Sequence, residues 1–282
     1  IGGWFFTALA AFTAAGTVAY LIHLGGPVMV AVFLLLAILL LIRNYVKHLG
    51  KSREAKTEDS LSKAESSSIH GVIEESADNV SKALKRVGKI TSMTVNGLVD
   101  RDLDKLKKAK HNVNKLETEI EDLQNDIFYF IKDLDDSYLG ASKFYIDTIG
   151  SLQDIAQSSS LIAKVSYKHV NNHHKKLKNR ESEELLQITS TLEALLARIS
   201  EIFDSRDFGK IVPEIIEEKK ALLSEVHSAI QTQVERTREK ESTSPKNTTL
   251  YFIILIETKD LMQACIDVLN LYYAEHDREQ SQ

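Results

Sequence analysis

No Asp, Glu, Lys or Arg occurs between Ile1 and Ile42, and the first charged residue is Arg43. An α-helix needs about 20 apolar residues to cross a bilayer, so this run is long enough for two crossings. It has no charged face to turn toward water, which excludes an ordinary amphipathic surface helix. Its middle is broken by His23-Leu24-Gly25-Gly26-Pro27. Gly25 and Gly26 suit a helix end, and Pro27 suits the first turn of the next helix. Segment 1–46 therefore predicts a transmembrane hairpin, roughly Trp4 to Ile22 and Val28 to Asn44.

A cleaved secretory leader would open on basic residues, and Ile1-Gly2-Gly3-Trp4 has none. We expect further membrane helices upstream of Ile1. Arg43, Lys47 and Lys51 flank the end of the second span, whereas the hairpin turn has no Lys or Arg. The positive-inside rule then puts residues 47–282 on the cytoplasmic side. Cys265 is the one cysteine, so no internal disulfide is possible, in keeping with a reducing compartment.

Removing the hairpin leaves about 220 to 230 residues, enough for one large or two small domains. The net charge of -5 is spread over interleaved acidic and basic residues, which points away from nucleic acid. Only 3 Pro and 12 Gly favour long helices over a turn-rich β fold. Residues 47–68 read as a polar, Ser-rich linker.

Beyond the linker, apolar residues recur at spacings of three and four in six stretches, the pattern of amphipathic helices. The first starts near Ile69 and carries Val72, Val80, Leu84 and Val87. The second runs from about Arg101 to Leu134 with Leu106, Val113 and Ile131. The third runs from about Ser142 to Lys176 with Ile149, Leu152 and Leu161. After a polar break near His173 come Glu183 to Phe203, Pro213 to about Glu241 with Leu222 and Val234, and Thr248 to about Ala274 with Ile256 and Leu261. The expected fold class is all-α: a transmembrane hairpin, then two three-helix bundles, 69–178 and 179–282, related by duplication.

Asn114-Lys115-Leu116-Glu117-Thr118-Glu119-Ile120-Glu121-Asp122-Leu123 resembles the second helix of PhoU-like proteins. Ile149-Gly150-Ser151-Leu152-Gln153-Asp154-Ile155-Ala156-Gln157 looks like a worn copy of that family's third-helix motif, and Ile256 to Ala264 like a second copy. The resemblance covers about Ile69 to Ala274. The charge-free run, ending in Arg43-Asn44-Tyr45, is similar to the last two helices of PiT-type inorganic phosphate transporters. Together they imply the C-terminal part of a phosphate permease of the bacterial inner membrane, multi-pass, with a cytoplasmic PhoU-like domain that regulates transport. The expected partners are inorganic phosphate, handled by the upstream membrane domain, the lipid bilayer, and a second copy of the chain in a homodimer. Nucleic acid is not among them.

The PhoU-like resemblance also implies divalent or iron-type metal ions held by carboxylates. Asp154, Glu257 and Asp260 are the candidate ligands, with Glu117, Glu121 and Glu217 as supporting carboxylates. Oxygen donors from several helices suit a hard cation. The pattern departs from the family four residues before each motif Asp, where Gly150 and Ile256 stand in place of a carboxylate. The competing reading is a set of solvated helix carboxylates, Asp260 pairing with a neighbour such as Lys259. His169 and His173 share a helix face with His174 nearby, but no partner has metal-ligand spacing, so a solvated helix end is expected.

Lys105, Lys107, Lys108, Lys110, His111 and Lys115 form a basic stretch diluted by Asp102 and Asp104. It reads as a solvated face or as a contact for lipid headgroups. No phosphate-cradling Gly loop or nucleophile elbow is present, so no enzyme is expected. The rival functions are a membrane-anchored signalling coiled coil and a scaffold that binds a partner.

Overall fold

The computed structural model describes residues 11–13, 15–17, 19–27, 29–30, 33, 60–62, 69–132, 139–239 and 244–280. The chain divides into two compact units, Ile1–Asp59 and Ser60–Gln282. Every regular element among the described residues is a helix.

In the first unit the described residues are helical, and Phe12, Tyr20 and Leu24 stand exposed. Gly26 lies in the predicted turn at a φ of 53°, a left-handed backbone that costs glycine little. The rest of the expected hairpin, and its flanking Arg43, Lys47 and Lys51, lie outside the described residues. Among the described residues no helix is long and apolar enough to cross a membrane.

The second unit is built from α1 (Ile69–Asp100), α2 (Leu103–Lys132), α3 (Leu139–Asn171), α4 (Asn179–Ser205), α5 (Phe208–Arg238) and α6 (Pro245–Gln280). Each turn between α1 and α2, α3 and α4, and α4 and α5 has a non-glycine residue in the left-handed region: Arg101 at φ 58°, His173 at 54° and Arg206 at 60°. At the first of these the Asp102 N–H donates to the Gly97 carbonyl (2.8 Å) and the Arg101 N–H to Leu98 (3.3 Å). His174 and His173 repeat the pattern with His169 (3.2 Å) and Val170 (3.0 Å). Both are Schellman ends, which satisfy the last carbonyls of a helix and stop it sharply. Asp102 then caps α2, its carboxylate accepting from the N–H groups of Asp104 (3.1 Å) and Lys105 (2.9 Å). Pro245 opens α6, where a missing N–H costs nothing.

Helices α1, α2 and α3 pack as one trio and α4, α5 and α6 as another, with the α4–α6 contact the sparsest. The trios are not separate. The α1–α4 and α3–α6 contacts are the most extensive, and one continuous core runs through all six helices. Exchanging the trios maps these two contacts onto themselves. Tyr272 of α6 ties the far end together. Its ring lies 4.8 Å from those of Phe144 on α3 and Phe203 on α4, and 5.5 Å from Phe208 on α5. Its hydroxyl donates to Ser76 Oγ on α1 at 2.7 Å.

Four residues of the predicted stripes face outward: Ile131, Leu161, Val234 and Ile256 are 41, 39, 44 and 43 % exposed. A stripe followed along a helix of more than 30 residues drifts around its axis, and a neighbour covers only part of that arc. The 47–68 segment is described only at 60–62, where it docks. Ser62 and the Asn79 side chain exchange two hydrogen bonds, N–H to Oδ1 at 2.9 Å and Nδ2–H to carbonyl at 2.6 Å. The Leu61 N–H donates to Glu119 at 3.2 Å.

Candidate functional site

The α3–α6 contact brings Asp154, Glu257 and Asp260 to one open groove of about 380 Å³, with Gln157, Ser158 and Asp267 also on its walls. Asp154 and Asp260 are exposed and Glu257 is half-buried. Asp154 neighbours Leu152 and Ile155 in sequence, but those two turn into the core while Asp154 turns out. Asp260 pairs with Lys259 at 3.4 Å. Burial pushes the Glu257 carboxyl above its ordinary range, a hydrogen bond from Ser158 opposes this, and the Asp260 charge adds to it.

The supporting carboxylates do not join them. Glu117 and Glu121 line a neighbouring groove of about 370 Å³ between α2 and α3, and Lys164 holds Glu117 at 3.3 Å. Gln157 and Leu161 form the rim shared by the two grooves. Glu217 is exposed and bound to Lys220 at 2.6 Å. Among the described residues no group of three or more His, Cys, Asp or Glu is placed to hold a metal ion. A hard cation needs six or more converging oxygens, or four to six at a transition-metal centre. The residues present do not fit that need.

His169 is buried, and its Nε2 lies 2.9 Å from the Lys175 carbonyl. Burial lowers its pKa, and the hydrogen bond to Lys175 opposes the shift. It closes the α3–α4 turn, so this helix end is packed at His169 and not solvated as the sequence suggested. Cys265 is fully buried, and burial pushes its thiol far up, so it is inert.

Sequence reasoning missed a polar cluster that joins three helices of the unit. Arg236 of α5 donates to both carboxylate oxygens of Glu184 on α4, at 3.1 and 2.7 Å. The Tyr251 hydroxyl of α6 donates to the same carboxylate at 2.5 Å. Gln233 donates to the buried Glu181 at 3.1 Å, and Glu181 accepts from the Lys178 N–H at 2.9 Å. Burial raises the Glu184 pKa, but hydrogen bonds from Arg236 and Tyr251 outweigh it and hold the group below its ordinary value. The one-turn spacings Glu181–Glu184 and Gln233–Arg236 were visible in the sequence, but nothing in it paired the two helices. With every strong acceptor engaged, the cluster clasps α4, α5 and α6 and offers no free nucleophile or base.

No family model, no curated protein and no solved structure matches this chain.

Proposed function

We propose that the chain is the C-terminal portion of an inorganic phosphate permease, with a PhoU-like helical unit that regulates transport. The observation that carries the reading is the arrangement of the second unit. Two trios in the same helix order, sharing one core through α1–α4 and α3–α6, follow a 42-residue stretch free of charge. Exposed Phe12, Tyr20 and Leu24 on the described part of that stretch support a lipid or protein covering for it. The compact six-helix core weighs against a rod-like signalling coiled coil, which needs sustained heptads along one long hairpin. Regulation of this kind requires the helical unit to bind two states of the transporter with different affinity. In this reading the unit works through contacts between proteins and not through a bound metal.

The test is labelled phosphate uptake in cells lacking their own phosphate carriers. A protein carrying this chain at its C-terminus is compared with a version truncated after Lys56. Uptake whose rate or phosphate response changes on truncation is the expected result. Equal uptake by both versions removes the regulatory role, and no uptake by either, with both present in the membrane, favours the scaffold reading.

A further inference from the structure

We propose that the end of the six-helix unit formed by the α1–α2 and α3–α4 turns docks on an anionic lipid surface. The inference rests on the membrane attachment adopted above. Two basic segments far apart in sequence meet there. The Arg101 guanidinium donates to the His174 carbonyl at 2.7 Å, and Lys110 Nζ sits 4.9 Å from the centre of the Tyr167 ring. The second segment is the purer one: from Lys168 to Arg180 there are five Lys or Arg, three His and no Asp or Glu. Lys108, Lys168, Lys175 and Lys176 are exposed and make no ion pair among the described residues.

The opposite end has the opposite character. Glu74, Asp78, Asp204 and Asp207 gather around the α4–α5 turn, and Arg206 and Lys85 are taken up in ion pairs there. At the basic end Asp100, Asp102 and Asp104 pair with Lys105 and Lys107, so the excess positive charge there comes from Lys108 and the 168–180 segment. A negative leaflet attracts clustered Lys and Arg within about one Debye length, roughly 10 Å, so the basic end faces the lipid and the acidic end faces away. Lysines are suited to this role, since flexible ammonium groups reach headgroup phosphates without a fixed geometry. Each lysine in contact is expected to contribute about five-fold in partitioning.

The full chain is reconstituted into vesicles of phosphatidylcholine, with or without phosphatidylglycerol, and floated on a density gradient. A fluorophore at Asn172→Cys reports on quenching by headgroup-labelled lipid, since the buried Cys265 does not compete for the label. The expected result is flotation in both vesicle types with quenching only where phosphatidylglycerol is present. That quenching is lost in about 0.5 M NaCl, where screening is short-ranged. It is also lost in K108Q/K168Q/K175Q/K176Q, with helical circular dichroism unchanged. Flotation with no quenching, or with equal quenching in both vesicle types, overturns the inference and leaves membrane attachment standing. Quenching relieved by inorganic phosphate at constant ionic strength assigns the site to free phosphate and also overturns it. Flotation with phosphatidylglycerol vesicles alone, lost in the lysine variant, supports the inference and removes the membrane-spanning reading. No flotation with either vesicle type defeats both.

Discussion

Arg236 and Glu184 form a two-pronged ion pair between α5 and α4, with N–O distances of 3.1 and 2.7 Å, and Tyr251 of α6 donates to the same carboxylate. Only 9 % of the Arg236 side chain and 26 % of that of Glu184 is exposed. Removing one partner leaves the other desolvated, and that penalty exceeds the net worth of the pair. Arg236→Met is therefore expected to lower stability by about 2 to 3 kcal/mol. R236M/E184Q, which keeps an acceptor for Tyr251, recovers part of the loss. Urea midpoints of the three proteins provide the check.

The same pair sets an acid limb. Glu184 is held below its ordinary 4.5 in the folded protein. Its contribution is therefore complete above about pH 4.5 and is lost as pH falls through the depressed value. The stability gap between wild type and E184Q should stay constant in neutral buffers and close below pH 4.5. A gap that persists unchanged into acid would show that the charge of Glu184 is not what stabilises the clasp.

Glu257 runs the other way. Its pKa is raised above 4.5 by burial and by Asp260. The protonated form is favoured by folding, so stability present below pH 4.5 is lost as pH rises through the raised value. E257Q should melt slightly higher than wild type at pH 7 and equal to it in acid. Neither protein should gain thermal stability from added manganese or iron, because the groove carboxylates do not converge. A saturable metal-dependent rise in Tm that E257Q abolishes would contradict that geometry.

His173 is exposed and holds a φ of 54° at the end of α3. The left-handed region costs a side chain about 1 to 2 kcal/mol, and glycine gives back about 0.5 to 1 through its unfolded freedom. His173→Gly is expected to stabilise by about 0.5 to 1 kcal/mol. A lowered thermal midpoint would mean that the imidazole makes a contact worth more than the strain.

Much of the second unit was legible because its signals are local. Spacings of three and four gave all six helices, and Pro245 and the polar run at His173 marked ends that the structure places within a few residues. What periodicity could not supply was which arc of each helix is covered. Ile256 continues the α6 stripe yet stands exposed, while Tyr251 and Tyr272 on the same helix are buried. Asp154 and Asp260 have apolar neighbours in sequence, but adjacent residues on a helix point about 100° apart, so such neighbours do not imply burial. Their meeting in one groove is a property of the α3–α6 contact. The Glu184–Arg236 pair is 52 residues apart in the chain and has no local signature at all.

The docking of Leu61 and Ser62 fixes where mechanical load enters the helical unit. A pull transmitted along the chain from its N-terminal side reaches the Asn79 amide and the Glu119 carboxylate before it reaches Ile69. Asn79 lies nearly three turns inside α1, and its two opposed hydrogen bonds resist such a pull together. Tension is thereby delivered to the flank of α1 and to α2, and the first turns of α1 are spared unwinding.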